Sequence, residues 1–155
     1  MIRLVLPADT SELLAMTAGT GLFTPADVET LDGVLAEYHD ETAAQGHRCY
    51  VFEQDGSPIG FTYLAPAPMT DRTWDLWWIV VGKQTQARGL GGKLLHHAEE
   101  VARAEKGRLM EVPTSSLPSY DLTRRFYLKN GYEVAAVLKD HYADGHDMVI
   151  FRKRL

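Results

Sequence analysis

The chain is poor in cysteine and in long apolar runs. Cys49 is the one cysteine among 155 residues, so no intrachain disulfide can form and a disulfide-stapled scaffold is excluded. No stretch approaches the roughly 18 uninterrupted apolar residues that a membrane-spanning helix needs, so no membrane role is expected. Residues 1–9 lack the basic start and apolar stretch of a signal peptide, which makes a cytoplasmic protein the expectation. Bases are scarce at the start: residues 1–70 hold ten acids against only Arg3 and Arg48, a net of −8, whereas residues 71–155 hold fourteen bases against eleven acids, a net of +3. A basic stripe interleaved with aromatics is missing too, which argues against nucleic acid. The six histidines have no metal-ligand spacing: His96 and His97 are adjacent, about 100° apart on a helix, and His141 and His146 fall in a polar stretch without a cysteine cluster or paired acid. No metal is expected. Cys49 lies in a β-rich run with no adjacent histidine and reads as a small core residue.

What remains is an ordinary globular composition, 45% hydrophobic and 24% charged, without repeats, low-complexity runs or linkers, so residues 1–155 are read as a single domain. Ile2 to Leu6 predicts a short strand ended by Pro7, and Thr10 or Ser11 caps a helix to about Ala18. Thr24-Pro25 with Asp27 is a stronger start: a capping hydroxyl, proline at the first helical position and an acid in the first turn. That helix, with Val28, Leu31, Val34, Leu35 and Tyr38 on its apolar side, ends near Gly46. Arg48–Glu53 and Ile59–Leu64 form a hairpin through Asp55-Gly56. Trp74–Val81 reads as a central strand, Leu90–Ala104 as an amphipathic helix and Arg108–Val112 as a strand. Thr123–Asn130 is a helix closed by Gly131, followed by strands Tyr132–Leu138 and Met148–Arg152. The order β αα β β β α β α β β predicts an α/β fold with a mixed sheet, in which a crossover helix joins parallel fourth and fifth strands.

The most informative segment is Ile79-Val80-Val81-Gly82-Lys83-Gln84-Thr85-Gln86-Ala87-Arg88-Gly89-Leu90-Gly91-Gly92-Lys93. A strand enters a glycine-rich turn that opens a helix, where exposed backbone N–H groups and the helix dipole suit a phosphate or pyrophosphate. Two familiar phosphate motifs fail by position. A P-loop would need glycine at Ala87 and Ser/Thr at Leu94, and a dinucleotide fingerprint starting at Gly89 would need its third glycine at Leu94.

Gln86-x-x-Gly89-x-Gly91 resembles the acyl-CoA pyrophosphate motif of the GNAT superfamily of N-acetyltransferases. The preceding apolar strand and the later block Phe126-Tyr127-Leu128-Lys129-Asn130-Gly131-Tyr132 resemble that family in the same order, so the likeness spans about residues 48–152. It implies a three-layer αβα fold around a mostly antiparallel seven-stranded sheet, with strands 4 and 5 parallel and splayed into a V-shaped cleft. Acetyl-CoA is the implied cosubstrate: pantetheine against the backbone around Ile79 and Val81, and pyrophosphate on the amides of Gln86, Ala87, Arg88, Gly89, Leu90, Gly91 and Gly92. Arg88, Lys93, Arg124 and Lys129 are the nearby cations. Tyr120 stands where many members carry an asparagine that binds the pantetheine arm, and it is kept as a cofactor-side candidate that could equally line the acceptor side.

Direct transfer to an amine needs a base for the ammonium proton and an acid for the departing thiolate. The tyrosine of the Phe126-Tyr127 pair matches the family's acid. Two carboxylates compete as base, Asp75 and Glu111, with Asp75 placed first. Strand alternation puts Asp75 on the face of Trp77 and Ile79 unless a bulge intervenes. A strand-end acid paired with Arg72 is the plain alternative for Asp75. The resemblance also assigns the acceptor to residues 19–27 and 140–147, where Asp27, Asp140, Asp144 and Asp147 predict a cationic acceptor, a small-molecule or peptide amine. Members are often dimers, which leaves a homodimer open. A non-catalytic acyl-CoA-binding module or sensor is the alternative to the enzyme.

Overall fold

A computed structural model describes residues 1–155; the side chains of Gln86, Ala87 and Arg88 lie outside the described residues. The elements in chain order are β1 (Ile2–Leu4), α1 (Thr10–Gly19), α2 (Pro25–Asp40), β2 (Arg48–Gln54), β3 (Ser57–Pro66), β4 (Thr73–Val81), α3 (Leu90–Ala104), β5 (Leu109–Ser115), α4 (Asp121–Lys129), β6 (Glu133–Ala143) and β7 (His146–Arg154). They build one seven-stranded sheet in the order β1-β2-β3-β4-β5-β7-β6. Its β4–β5 pair is parallel and every other neighbouring pair is antiparallel. The expected element order and the mixed sheet are both present. No helix among the described residues is long and apolar enough to cross a membrane.

Local signals account for several boundaries. The Thr24 hydroxyl accepts the Asp27 N–H at 3.1 Å while the Asp27 carboxylate accepts the Thr24 N–H at 2.8 Å, a reciprocal capping box that starts α2 at Pro25. In the β2–β3 turn Asp55 and Gly56 take φ of 52° and 80°, the left-handed pair a two-residue hairpin requires. Helices cover both faces of the sheet. On one side α1 and α2 bury Leu13, Leu31 and Leu35 against Cys49, Val51, Phe61 and Val80. On the other, Leu95, Ala98 and Ala102 of α3 and Tyr127 of α4 pack on Trp74, Leu76, Met110, Val112 and Phe151. Each fully buried leucine contributes about 1.5–3 kcal/mol.

Three expectations are revised. β5 runs through Pro113 to Ser115 instead of stopping at Val112, paired with β7 as far as Ser115–Met148. β6 and β7 absorb most of residues 140–147, so His141 and His146 are strand residues and only Asp144 and Gly145 lie between the two strands. The third revision is in β4, where Tyr63 pairs with Trp78 but Leu64 with Leu76, leaving Trp77 as the extra residue of a β-bulge. Trp74 and Leu76 therefore face the α3 side, and past the bulge Ile79 does, while Trp78 and Val80 face α1 and α2. Asp75 lies between Trp74 and Leu76, so it faces the α1–α2 side and does not share a face with Ile79.

The parallel ladder is short: Thr73–Leu109, Trp74–Met110 and Asp75–Glu111. Beyond it β4 continues with β3 to Val81–Gly60, and β5 continues with β7. The two strands part company with the bulge at the fork.

Candidate active site

The fork opens into a cavity of about 580 Å³. Its floor is Leu76, Val112 and Tyr127, its donor side is Ile79, Val80, Val81, Gly89, Gly91, Gly92, Thr123 and Phe126, and its far side holds Thr20, Leu22, Phe23, Trp77, Trp78, Ser119 and Tyr120.

The donor side is built by the start of α3. Gly89 precedes the helix at φ 69° with no side chain capping the first turn, so the amides of that turn are left for a ligand. A β-carbon at Gly89 or Gly92 would meet nothing within 4 Å, whereas one at Gly91 would lean on the Phe126 ring at 3.4 Å and narrow the groove. Leu90 turns the other way: it is buried, and with Leu94 it packs over Gly60, where a β-carbon would come within 2.8 Å of Leu94 Cδ1. That packing fixes the helix start over the end of β4. Uncapped amides, a positive dipole end and glycine clearance fit a pyrophosphate. Ile79, Val81, Gly89, Gly91 and Gly92 are thus brought together on one wall, and the expected roles of Gln86, Ala87 and Arg88 fall outside the described residues. Of the nearby cations, Arg124 is committed elsewhere, donating to the carbonyls of Ser115 at 2.7 Å and Leu117 at 2.9 Å. Lys93 and Lys129 have no ion-pair partner among the described residues.

Tyr127 stands where donor side and floor meet. Only 2% of it is exposed, among the rings of Phe126, Tyr132 and Phe151 at 5.3–5.5 Å. Burial pushes its phenol well above the usual tyrosine range, so the side chain is a neutral O–H donor. That hydroxyl makes no hydrogen bond among the described residues, in contrast to Tyr132, which donates to the buried Glu99 at 2.9 Å.

Asp75 and Glu111 meet, but beneath the cavity, as the last cross-strand pair before the fork, and neither lines it. Their surroundings differ. Glu111 accepts from Arg152 at 3.3 Å. Asp75 has no hydrogen-bond or ion-pair partner among the described residues, and Arg72, the expected structural partner, pairs with Asp71 at 2.9 Å. Partial burial, and secondarily the neighbouring Glu111 charge, hold the Asp75 carboxyl above the usual aspartate range.

Tyr120 belongs to the far side rather than to the donor groove. Its hydroxyl donates to the Leu22 carbonyl at 2.8 Å, tying the turn before α4 to the α1–α2 connection. Phe23 and Trp78 lie ring to ring at 5.3 Å, and Trp77, 44% exposed, stacks on Tyr63 at 5.3 Å with His47 against its edge. The wall formed by Phe23, Trp77 and Trp78 is the part of the site missed in the sequence; three tryptophans within Trp74–Trp78 were the available signal. Three of the four acids expected around the acceptor make structural hydrogen bonds. Asp27 caps α2, the Asp147 carboxylate accepts the Asp140 N–H at 2.9 Å and Lys139 at 3.2 Å, and Asp140 accepts the Gly145 N–H at 2.8 Å. None of Asp27, Asp140, Asp144 and Asp147 lines the cavity. Cys49 is fully buried and its thiol is pushed far up by burial, so it is inert. No metal-holding group of His, Cys, Asp and Glu occurs among the described residues.

Comparison with known proteins agrees with this geometry. Residues 45–134 match the model of the "Acetyltransferase (GNAT) domain". The structure of a GNAT-family protein from Desulfovibrio desulfuricans is 34% identical, with a TM-score of 0.95 over 99% of this chain and 98% of that one. A ribosomal-protein-alanine N-acetyltransferase from Brucella melitensis is 20% identical, with a TM-score of 0.79 over 100% and 99%. The PaiA N-acetyltransferase from Thermoplasma acidophilum, solved in complex with coenzyme A, is 18% identical, with a TM-score of 0.77 over 100% and 98%. These last two likenesses are of fold. No curated protein matches the chain.

Proposed function

Since the chain belongs to the GNAT family of acetyltransferases, we propose that it transfers the acetyl group of acetyl-CoA directly to a primary amine of a small molecule or peptide. The observation that carries this reading is a buried, unpartnered tyrosine hydroxyl in a cavity lined on one side by an uncapped, glycine-rich helix start and on the other by Phe23, Trp77 and Trp78. Acetyl-CoA is the donor substrate: its phosphates suit the first turn of α3, and its extended arm runs along the open side of β4 toward Tyr127. The two substrates then share one cavity, so the amine reaches the thioester without an acyl-enzyme, and Cys49 is too buried to form one.

The amine lone pair attacks the thioester carbonyl, forming the C–N bond. As the C–S bond breaks, Tyr127 gives its proton to the sulfur, which keeps the leaving group from departing as a free thiolate. The proton lost from nitrogen passes through water to a carboxylate. Asp75 is the better candidate than Glu111, because its carboxyl is raised in proton affinity and has no competing partner, while Glu111 is held by Arg152. Its place below the floor makes water the necessary relay.

The test is thiol release from acetyl-CoA with a panel of primary amines. Amine-stimulated release that falls in Tyr127→Phe supports the enzyme. Tight acetyl-CoA binding with no amine-stimulated release identifies an acyl-CoA-binding module instead.

A further inference from the structure

The acceptor half of the cavity has an unusual lining for a site that meets amines. Among the described residues no Asp, Glu, His, Lys or Arg lines any part of it; its polar side chains are threonines, Ser119, tyrosines and the two tryptophan N–H groups. The Tyr120 hydroxyl is spent on Leu22. Charged groups do surround the mouth. Asp27 is close enough to raise the proton affinity of Tyr120 and Tyr142, but its carboxylate is engaged by the Thr24 N–H. His146 is hydrogen-bonded to Ser115 at 2.6 Å, and Asp140 and Asp147 brace the β6–β7 turn. With no carboxylate lining the cavity among the described residues, a bound ammonium would lose its water without contacting a counter-charge, which is costly.

The same wall offers a large apolar surface. The Phe23–Trp78 pair and the bulged Trp77 present aromatic rings, with Leu22 and Leu122 beside them. Trp77 and Leu122 are 44% and 77% exposed. Apolar side chains left uncovered along a cavity in this way mark a ligand surface. The bulge at Trp77 adds to this, because it breaks the alternation of β4 so that two successive tryptophans reach the cavity.

From the uncharged aromatic wall we infer that the acceptor is an aromatic primary amine taken up as its free base, rather than a polyamine or amino sugar. The inference rests on the transferase reading above and narrows its substrate class. The ring lies against Phe23, Trp77 and Trp78, which points the amine toward the floor at Tyr127. Entering neutral, the amine already has the lone pair that attacks. One proton then leaves nitrogen for water and Asp75 as the C–N bond forms, and one proton moves from Tyr127 to sulfur as the C–S bond breaks; the proton on Asp75 returns through water to the Tyr127 phenolate, so the ledger closes with no other reactant.

The test compares aniline and 4-methoxyaniline, neutral at pH 7, with spermidine and kanamycin in the thiol-release assay, beside direct binding followed by tryptophan fluorescence with acetyl-CoA omitted. Expected is a kcat/KM about tenfold or more higher for the aromatic amines, insensitive to salt, that falls about tenfold in Trp78→Ala while the Kd of acetyl-CoA holds. Preferred turnover of spermidine or kanamycin, with a KM that salt weakens, overturns the inference. If no amine is acetylated, the transferase reading fails, and the binding arm still decides: saturable quenching by 4-methoxyaniline and none by spermidine upholds the aromatic site, and the reverse ends it.

Discussion

Asp75 of β4 lies directly opposite Glu111 of β5, the last pair of the parallel ladder before the strands separate. Like charges in register destabilise a sheet by about 0.2–1 kcal/mol, and here one of them also has no hydrogen-bond partner. Burial first, and the Glu111 charge second, make the folded state hold the Asp75 proton more tightly than the unfolded chain does. The stability this gives is fully present below the unfolded aspartate pKa and is lost as pH rises through the folded value. At neutral pH the ionised pair is a cost. Asp75→Asn should thus raise Tm at neutral pH, with a gain that shrinks on acidification, while lowering kcat/KM and removing its acidic limb. Thermal melts and rate profiles over the same pH series check both. An unchanged acidic limb would remove Asp75 as the base. Glu111→Gln relieves the same pair but also gives up the ion pair with the half-exposed Arg152, so its gain in Tm should be smaller.

Tyr127→Phe separates chemistry from packing. The hydroxyl has no hydrogen bond among the described residues, so removing this buried, unsatisfied group should leave Tm unchanged or slightly raised. Loss of a positioned acid costs about 10²–10⁴-fold, and that loss should fall on kcat with the KM of acetyl-CoA little changed. Burial raises the phenol far above the usual range, so Tyr127 stays protonated through the alkaline range and no alkaline limb should arise from it. Steady-state kinetics against pH read this directly.

At the start of α3 the two glycines should fail differently. Gly89→Ala puts a β-carbon in a left-handed residue, costing about 1–2 kcal/mol, but leaves the groove open because nothing lies within 4 Å. Gly91→Leu keeps a normal helical backbone and fills the groove against Phe126. The expected split is a lower Tm with modest change in acetyl-CoA affinity for Gly89→Ala, and a near-parental Tm with affinity weakened about tenfold or more for Gly91→Leu. Calorimetric titration with coenzyme A measures the second.

Much of this arrangement was readable before the fold. The Thr24-Pro25-Asp27 start, the Asp55-Gly56 turn and the span Leu90–Ala104 each carry a local physical signal, and each is found where that signal lies. The glycine-rich turn was marked as an anion site by its own residues, and Tyr127 and the acyl-CoA assignment were reached by resemblance. What stayed hidden depends on neighbours. Pro113 resembles a strand end, yet β5 continues past it because its β4 side already faces the cleft and has no ladder to break. β6 is an edge strand exposed along nearly its whole length, so no alternation of apolar and polar residues announces it. The bulge at Trp77 comes from a register difference between β3 and β4, which no single segment records, and with it went the orientation of Asp75 and the aromatic wall. Asp27, Asp140 and Asp147, counted as acceptor contacts, are engaged as a cap and turn braces, a role that Asp and Asn fill through their own nearby backbone.

Far from the cavity, Asp9 supplies the opposite pH signature to Asp75. Its carboxylate accepts from Arg3 at 2.8 and 2.9 Å and from the Leu6 N–H at 2.7 Å, and Arg3 also holds Glu53 on β2. The hydrogen bonds from Arg3 lower the Asp9 pKa against the opposing effect of burial. Its contribution to stability is present above the unfolded aspartate pKa and is lost as pH falls through the folded value. Arg3→Ala leaves a largely buried carboxylate with the Leu6 amide alone and also frees Glu53 at the sheet edge. The expected cost is about 1–3 kcal/mol at neutral pH, the range for stranding a buried hydrogen-bonded group. The deficit should narrow as pH drops below about 4, because the parent then loses the same interaction by protonation. Asp9→Asn should recover part of that loss in the Arg3→Ala background and cost stability in the parent. A double-mutant cycle from denaturant melts at neutral and acid pH measures the coupling, and equal Arg3→Ala penalties at both would show that the pair does not carry it.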